Sequence, residues 1–112
     1  MAPWRSAYKL NLLSDTEVTF ILTNGGHNAG VVSEPGHPGR HYRVATRAAE
    51  GLYMDPDVWA AKAVRKDGSW WPEWMQWLST HSGEATTPPT IGSADPRDAP
   101  LCEAPGTYVA MR

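Results

Sequence analysis

The sequence predicts an α/β unit built round one strand, and three observations carry that reading. Val18-Thr19-Phe20-Ile21-Leu22-Thr23 is a short apolar run rich in β-branched residues. Asn24-Gly25-Gly26 closes it with a turn and puts His27 directly after the turn. Stretches with apolar residues at helical spacing lie on both sides. A short apolar run bounded by turn residues reads as a strand buried on both faces, here with Val18, Phe20 and Leu22 on one face and Ile21 on the other. Glycine reaches positive φ without a Cβ clash, so Gly25 and Gly26 allow a sharp turn. In open α/β sheets ligands gather outside the carboxyl ends of strands, which makes His27 the candidate site residue. Its imidazole titrates near neutral pH and suits general acid–base work. A lone histidine is more often a surface group, and a base needs a nucleophile to activate and a carboxylate to orient it.

Size and charge narrow the partners. A chain of 112 residues is one domain at most. A net charge of -2, with no basic run interleaved with aromatics, points away from nucleic acid. No apolar stretch approaches the roughly 20 residues of a membrane span, and the N-terminus lacks the apolar core of a signal peptide. The single cysteine, Cys102, excludes an internal disulfide framework and fits a reducing cytoplasm. Tryptophan is over-represented, with six in the chain, and Trp70, Trp71, Trp74 and Trp77 belong to one element.

In chain order, residues 3–13 read as a helix whose apolar face holds Trp4, Tyr8 and Leu12 at i, i+4, i+8, with Ala7 beside them. Pro3 suits a first turn, and the helix begins almost at the first residue. Residues 33–43 read as a surface loop, because Pro35, Gly36, Pro38 and Gly39 alternate with His37, Arg40, His41 and Arg43. Its cations are expected to be solvated or paired with carboxylates. The spacing of His37 and His41 does not make a metal site, since the intervening Pro-Gly prevents the helix that would align them and no third ligand follows. Residues 55–64 read as a short helix with Asp55 as N-cap and Pro56 at its first position. Asp67-Gly68 breaks the chain, and Ser69 caps a helix over 70–81 with Trp70, Trp74, Trp77 and Leu78 on one face and Trp71 beside it. Such a face is packing rather than a ligand platform, and it requires a large apolar partner. Residues 83–105 are a Pro/Thr/Ala/Gly/Asp-rich connector without apolar periodicity, and 107–111 suit a short terminal strand or an extended tail.

The search for a nucleophile fails. No Gly-x-Ser/Cys-x-Gly elbow occurs, and Cys102 lies in Pro-Leu-Cys-Glu-Ala-Pro with no strand before it. Asp15 precedes the strand, so it stands at the wrong end to orient His27. From residues alone the reading stops at a strand, a loop and a histidine, with helices that want a missing partner.

Ala-Pro-Trp-Arg-Ser, Val-Thr-Phe-Ile-Leu-Thr-Asn-Gly-Gly-His-Asn-Ala-Gly-Val-Val-Ser-Glu-Pro-Gly, Ser-Trp-Trp-Pro-Glu-Trp and Ala-Pro-Gly-Thr-Tyr-Val occur in this order. Together they resemble the C-terminal end of the polyhydroxyalkanoate synthases, nearly over the whole chain. The resemblance implies the C-terminal part of an α/β-hydrolase fold: helix, last strand, histidine loop and helical tail. It implies polymerisation of (R)-3-hydroxyacyl-CoA into polyester with release of CoA, by a Cys, Asp, His triad in chain order. His27 matches the family's histidine. The family's Asp and its nucleophilic Cys correspond to positions before Met1, and Cys102 does not match the nucleophile. No cofactor and no metal enter this reading.

Residues 1–82 are thus expected to be the C-terminal part of the catalytic domain, and 83–112 a Pro-rich tail. The leading expectation is an enzyme part, from a truncated product, a misplaced start or a fragment, whose partner is the remainder of the synthase. The alternatives are a module that docks on another synthase subunit or on the polyester granule, and a degenerate product without function. A docking module would leave Trp70, Trp74 and Trp77 as a contiguous exposed patch. The expected location is the cytoplasm, with or without granule association. One strand and a long connector bury too little apolar area to offset ordering, at about 1.5 kcal/mol per residue, so the chain alone is expected to be partly molten or to aggregate. It is also expected to release no CoA from 3-hydroxybutyryl-CoA.

Overall fold

The structure is a computed structural model that describes residues 3–26, 28–90, 92 and 95–111. Contacts divide the chain into two units, Met1–Ser82 and Gly83–Arg112.

In the first unit α1 (Trp4–Tyr8) and α2 (Leu10–Leu13) lead into β1 (Val18–Thr23). After the histidine loop come β2 (His41–Arg47), α3 (Pro56–Lys62), β3 (Val64–Asp67) and α4 (Trp71–His81). The sheet is an antiparallel meander in the order β1-β2-β3. Val18 stands opposite Arg47 and Thr23 opposite Tyr42, while His41 stands opposite Asp67 and Val44 opposite Val64.

The sequence reading found one of these three strands. His41–Arg47 is β2, not the end of a loop. Its alternation is genuine, because Tyr42 and Val44 are buried on one face. The arginines on the other face hid it, and they are held by carbonyls rather than by water. Arg43 donates to Ala63 O at 3.1 Å, and Arg47 donates to the carbonyls of Ser14, Thr16, Ala48 and Gly51 and to Asn11 Oδ1. Residue 64 is likewise not the end of a helix: α3 stops at Lys62, Ala63 turns to extended geometry (φ −59, ψ 136), and Val64 opens β3. As an edge strand β3 is charged, with Arg65 bonded to Asp67, which discourages pairing with other chains.

The two faces of the sheet meet different elements. Phe20, Leu22 and Ala45 pack with Trp4 against a core of Tyr8, Trp59 and Ala63. Some of the aromatic rings there meet edge to face, Phe20 and Trp59 5.1 Å apart at 86° and Tyr8 and Phe20 5.0 Å apart at 85°, while Trp4 and Trp59 and Tyr8 and Trp59 meet tilted. On the opposite face Thr19, Ile21, Val44 and Thr46 line a cleft of about 440 Å³ beneath Trp70, Trp74 and Trp77. β1 is half-buried at every residue rather than fully buried on both faces, with Thr19 and Ile21 on the open cleft.

The first helix is interrupted at Lys9, and its buried face is Trp4, Tyr8 and Asn11 rather than Trp4, Tyr8 and Leu12; Leu12 is 58 % exposed. Asn11 is buried because its amide is used, donating to Tyr8 O at 3.1 Å and accepting from Arg47. The Asp55 cap on α3 and the Ser69 contact to the start of α4 are both present, as bonds from Asp57 N–H and Trp71 N–H.

Tyr42, Lys66 and Glu73 tie the meander to α4. Tyr42 OH donates to Glu73 Oε2 at 2.9 Å and Lys66 Nζ donates to the same oxygen at 2.5 Å. The Lys66 ammonium, assisted by the Tyr42 hydroxyl and opposed by burial, holds the Glu73 carboxyl below its ordinary value of 4.5. Burial, with Glu73 as acceptor, pushes the Tyr42 phenol up to about 12, so it remains a donor. A carboxyl lowered in the folded state stabilises above its ordinary value and loses that contribution as pH falls through the folded one. Docking of α4 is therefore expected to hold from neutral pH down to the glutamate range and to weaken below 4.5. Tryptophan fluorescence of the chain and of Glu73→Gln checks this: the difference between them should vanish in acid, and a pH-independent difference would refute it.

The second unit has two 3₁₀ turns, Pro96–Asp98 and Tyr108–Ala110. Asp95 accepts from Arg97 N–H and from its guanidinium. Residues 107–111 hold the second turn rather than the short strand or extended tail that the sequence suits, and a strand there would have no partner among the described residues of this unit.

Candidate functional site

The loop after β1 is the candidate site. His27 itself lies outside the described residues, so the site is built from what surrounds it in the chain.

The loop leaves β1 under the control of Asn24. Its amide nitrogen donates to Gly39 O at 2.9 Å, its amide oxygen accepts from His41 N–H at 2.9 Å, and its own N–H donates to His41 O at 3.1 Å. One side chain thus lashes the start of the loop to the start of β2. Gly25 follows at φ +102, a left-handed conformation that favours glycine. Local turns continue the loop: Ala29 N–H donates to Gly26 O, and Val31 and Val32 N–H both donate to Asn28 O.

Gly30 is buried where the loop folds back on its own start. A Cβ there would lie 2.0 Å from Asn24 O and 2.5 Å from Thr23 Oγ1. Backbone cannot yield to that degree without moving the loop off Asn24. Gly30→Ala is expected to destabilise the first unit by about 1–3 kcal/mol, as overpacked sites do. An unchanged urea midpoint, with unchanged amide shifts over 28–32, would show that this approach is not made.

The far end is pinned at Ser33, which is 1 % exposed. Its hydroxyl accepts from Arg40 Nε at 3.0 Å, and its carbonyl accepts from Ser69 Oγ at 2.6 Å. Midway, Val31 O accepts from the indole nitrogens of both Trp70 and Trp71 at 2.9 Å.

Two of the other histidines make local side-chain contacts, His37 with Glu34 and His81 with Trp77. His37 Nδ1 pairs with Glu34 Oε1 at 3.1 Å. The Glu34 backbone N–H, then this imidazole, hold the Glu34 carboxyl below its ordinary value. His41 begins β2. Among the described residues no group of three His, Cys, Asp or Glu is placed to hold a metal ion. Cys102 is exposed and lies in the second unit. The described part of the loop is therefore anchored at the carboxyl end of a strand and contains no cysteine.

Sequence reasoning missed the anchors rather than the loop. Asn24 had been read only as a turn residue, and Arg40 and Ser33 as loop surface. The signal for Asn24 was weak, because its bonds go to residues 15 and 17 positions away.

No family model matches the chain. Curated proteins do. It is 36 % identical over 113 residues to poly(3-hydroxyalkanoate) polymerase 2 of Ectopseudomonas oleovorans, which covers 100 % of this chain and 19 % of that protein. It is 34 % identical to the poly(3-hydroxyalkanoate) polymerase subunit PhaC of Cupriavidus necator, with 100 % and 18 % covered. The corresponding subunit of Rhizobium etli is 36 % identical, with 100 % and 17 % covered. The chain thus spans just under a fifth of the length of the relatives it matches. No helix among the described residues is long and apolar enough to cross a membrane.

Proposed function

We propose that this chain, which matches poly(3-hydroxyalkanoate) polymerases along its whole length, is the C-terminal segment of such an enzyme that carries the histidine base. The observation that carries the reading is the loop Asn24–Ser33: a turn at the carboxyl end of β1, lashed at Asn24 and pinned at Ser33, with His27 in its sequence between them.

In this reading His27 takes the proton of a cysteine thiol supplied from outside these residues. The thiolate attacks the carbonyl of an (R)-3-hydroxyacyl-CoA thioester, an acyl-enzyme thioester forms, and CoA leaves as a thiol with the proton that the imidazolium returns. The imidazole, neutral again, then takes the proton of the next monomer's hydroxyl, whose oxygen attacks that acyl thioester and lengthens the polyester, while the displaced cysteine thiolate takes the proton back. A carboxylate, also from outside, holds the imidazole tautomer. No cofactor takes part. The outer edge of β1, which pairs with no strand among the described residues, supports a larger α/β-hydrolase sheet that continues past it. Cytoplasmic or granule-associated location belongs to the same proposal.

A second reading has one observation of its own. Trp74 and Trp77 are 44 % and 42 % exposed, which suits a module that docks on a synthase subunit or a granule surface, although Trp70, the third residue of the expected patch, is half-buried. One experiment separates the two. This chain replaces the matching segment of the Cupriavidus necator relative, and CoA release from (R)-3-hydroxybutyryl-CoA is followed with a thiol reagent. The chimera is expected to release CoA and the 112 residues alone to release none. A folded but inactive chimera would overturn the enzyme reading, and the docking reading would then stand to be tested by sedimentation with polyester granules.

A further inference from the structure

We propose that the indoles of Trp70 and Trp71 act together as positioning residues for His27, through the single carbonyl oxygen of Val31. The inference rests on the reading of His27 as the base. Both indole N–H groups donate to Val31 O at 2.9 Å. Side chains of neighbouring residues on a helix diverge, so two adjacent indoles reaching one oxygen is not a consequence of helix geometry. The convergence arises because Trp70 stands at the N-cap and Trp71 begins α4. Together they fill both lone pairs of the carbonyl.

Its place in the loop makes this oxygen matter. Between Asn24 and Ser33 the backbone bonds are local turns, joining Gly26 to Ala29 and Asn28 to Val31 and Val32. Among the described residues, Val31 O is where the middle of the loop is tied to another element. The tie is stiff at its other end. Trp70 packs on Trp74 with ring centroids 5.4 Å apart, and Ser69 binds both Trp71 N–H and Ser33 O. The tryptophan pair therefore does more than cover the sheet: it sets the height of the loop above α4.

A carbonyl with two donors keeps one when either is removed. The effect of removing them is therefore strongly non-additive, which loss of ring packing would not produce. Phenylalanine keeps an aromatic ring and lacks the N–H. In the full 112-residue chain, Trp70→Phe or Trp71→Phe alone is expected to change amide exchange of Ala29, Val31 and Val32 by less than about twofold, and the double variant to speed it about tenfold. The sheet amides of Phe20 and Val44 should not change. Equal exchange in the double variant and the unaltered chain overturns the proposal, as do single variants whose effects simply add. If the double variant loses the sheet as well, the indole protons of the unaltered chain decide. Slow exchange of both supports the clamp, and free exchange of either overturns it.

In the chimera the double variant should lower kcat about tenfold with KM held, while each single variant stays within about twofold. A double variant that raises KM and leaves kcat unchanged overturns the positioning role. An unaltered chimera without activity would count against the enzyme reading, and amide exchange would still decide the clamp.

Discussion

Changing His27 to alanine in the chimera is expected to lower kcat for CoA release about a thousandfold or more, within the range for loss of a general base that activates a nucleophile. The imidazole would serve both halves of the cycle, first on the thiol and then on the incoming hydroxyl, so neither half escapes the loss. KM should change little, because the base acts on the proton in the transition state and adds little to ground-state binding. The acid limb of the pH–rate profile should go with the imidazole, since protonation of that group near neutral pH is what switches the base off. The loop itself should persist, because its anchors are the Asn24 side chain, Ser33 and the two indoles. A His27→Ala chimera that keeps a tenth of its activity would remove His27 from the reaction.

Trp59→Ala should have the largest effect on stability. Trp59 is 5 % exposed, and its ring meets those of Trp4, Tyr8 and Phe20 at 6.1, 5.5 and 5.1 Å. It is where α3 and α1 share one core against β1. Truncating a buried tryptophan costs about 3–5 kcal/mol, transfer and cavity terms together. In the chimera the variant should therefore lower the urea midpoint markedly and weaken the near-ultraviolet aromatic dichroism. Trp74→Ala, on the open cleft, should lower the midpoint far less. Equal losses at the two positions would mean that the core does not lie on the α1–α3 side.

These expectations draw unequally on sequence. Alternation and turn residues show β1, and the Asp55 cap and the Ser69 bond to Trp71 N–H are legible because each acts within two residues, although the N-cap of α4 is Trp70 and not Ser69. The loop that carries His27 is legible for the same reason: Asn24-Gly25-Gly26 announces a turn wherever it stands. β2 was missed because Arg43 and Arg47 look like solvated charges, and only folding brings the carbonyls of Ala63, Ser14, Thr16, Ala48 and Gly51 to them. β3 was missed because four exposed residues carry no burial pattern, and their strand geometry is imposed by β2 alongside.

By itself the sequence determined the strand, the turn, the place of the histidine in the chain, the Asp55 cap and the likeness to the polymerases. All of these depend on neighbours in the chain or on residue identities in order. Tertiary structure alone decided that β1 pairs antiparallel with a second strand, that Asn11 and not Leu12 faces inward, and that two tryptophans hold Val31 O. Those bonds join groups 39 and 40 residues apart, and no local preference records them. They form because buried or crowded carbonyls and guanidinium groups must find partners once water is excluded, and the fold determines which partners are within reach.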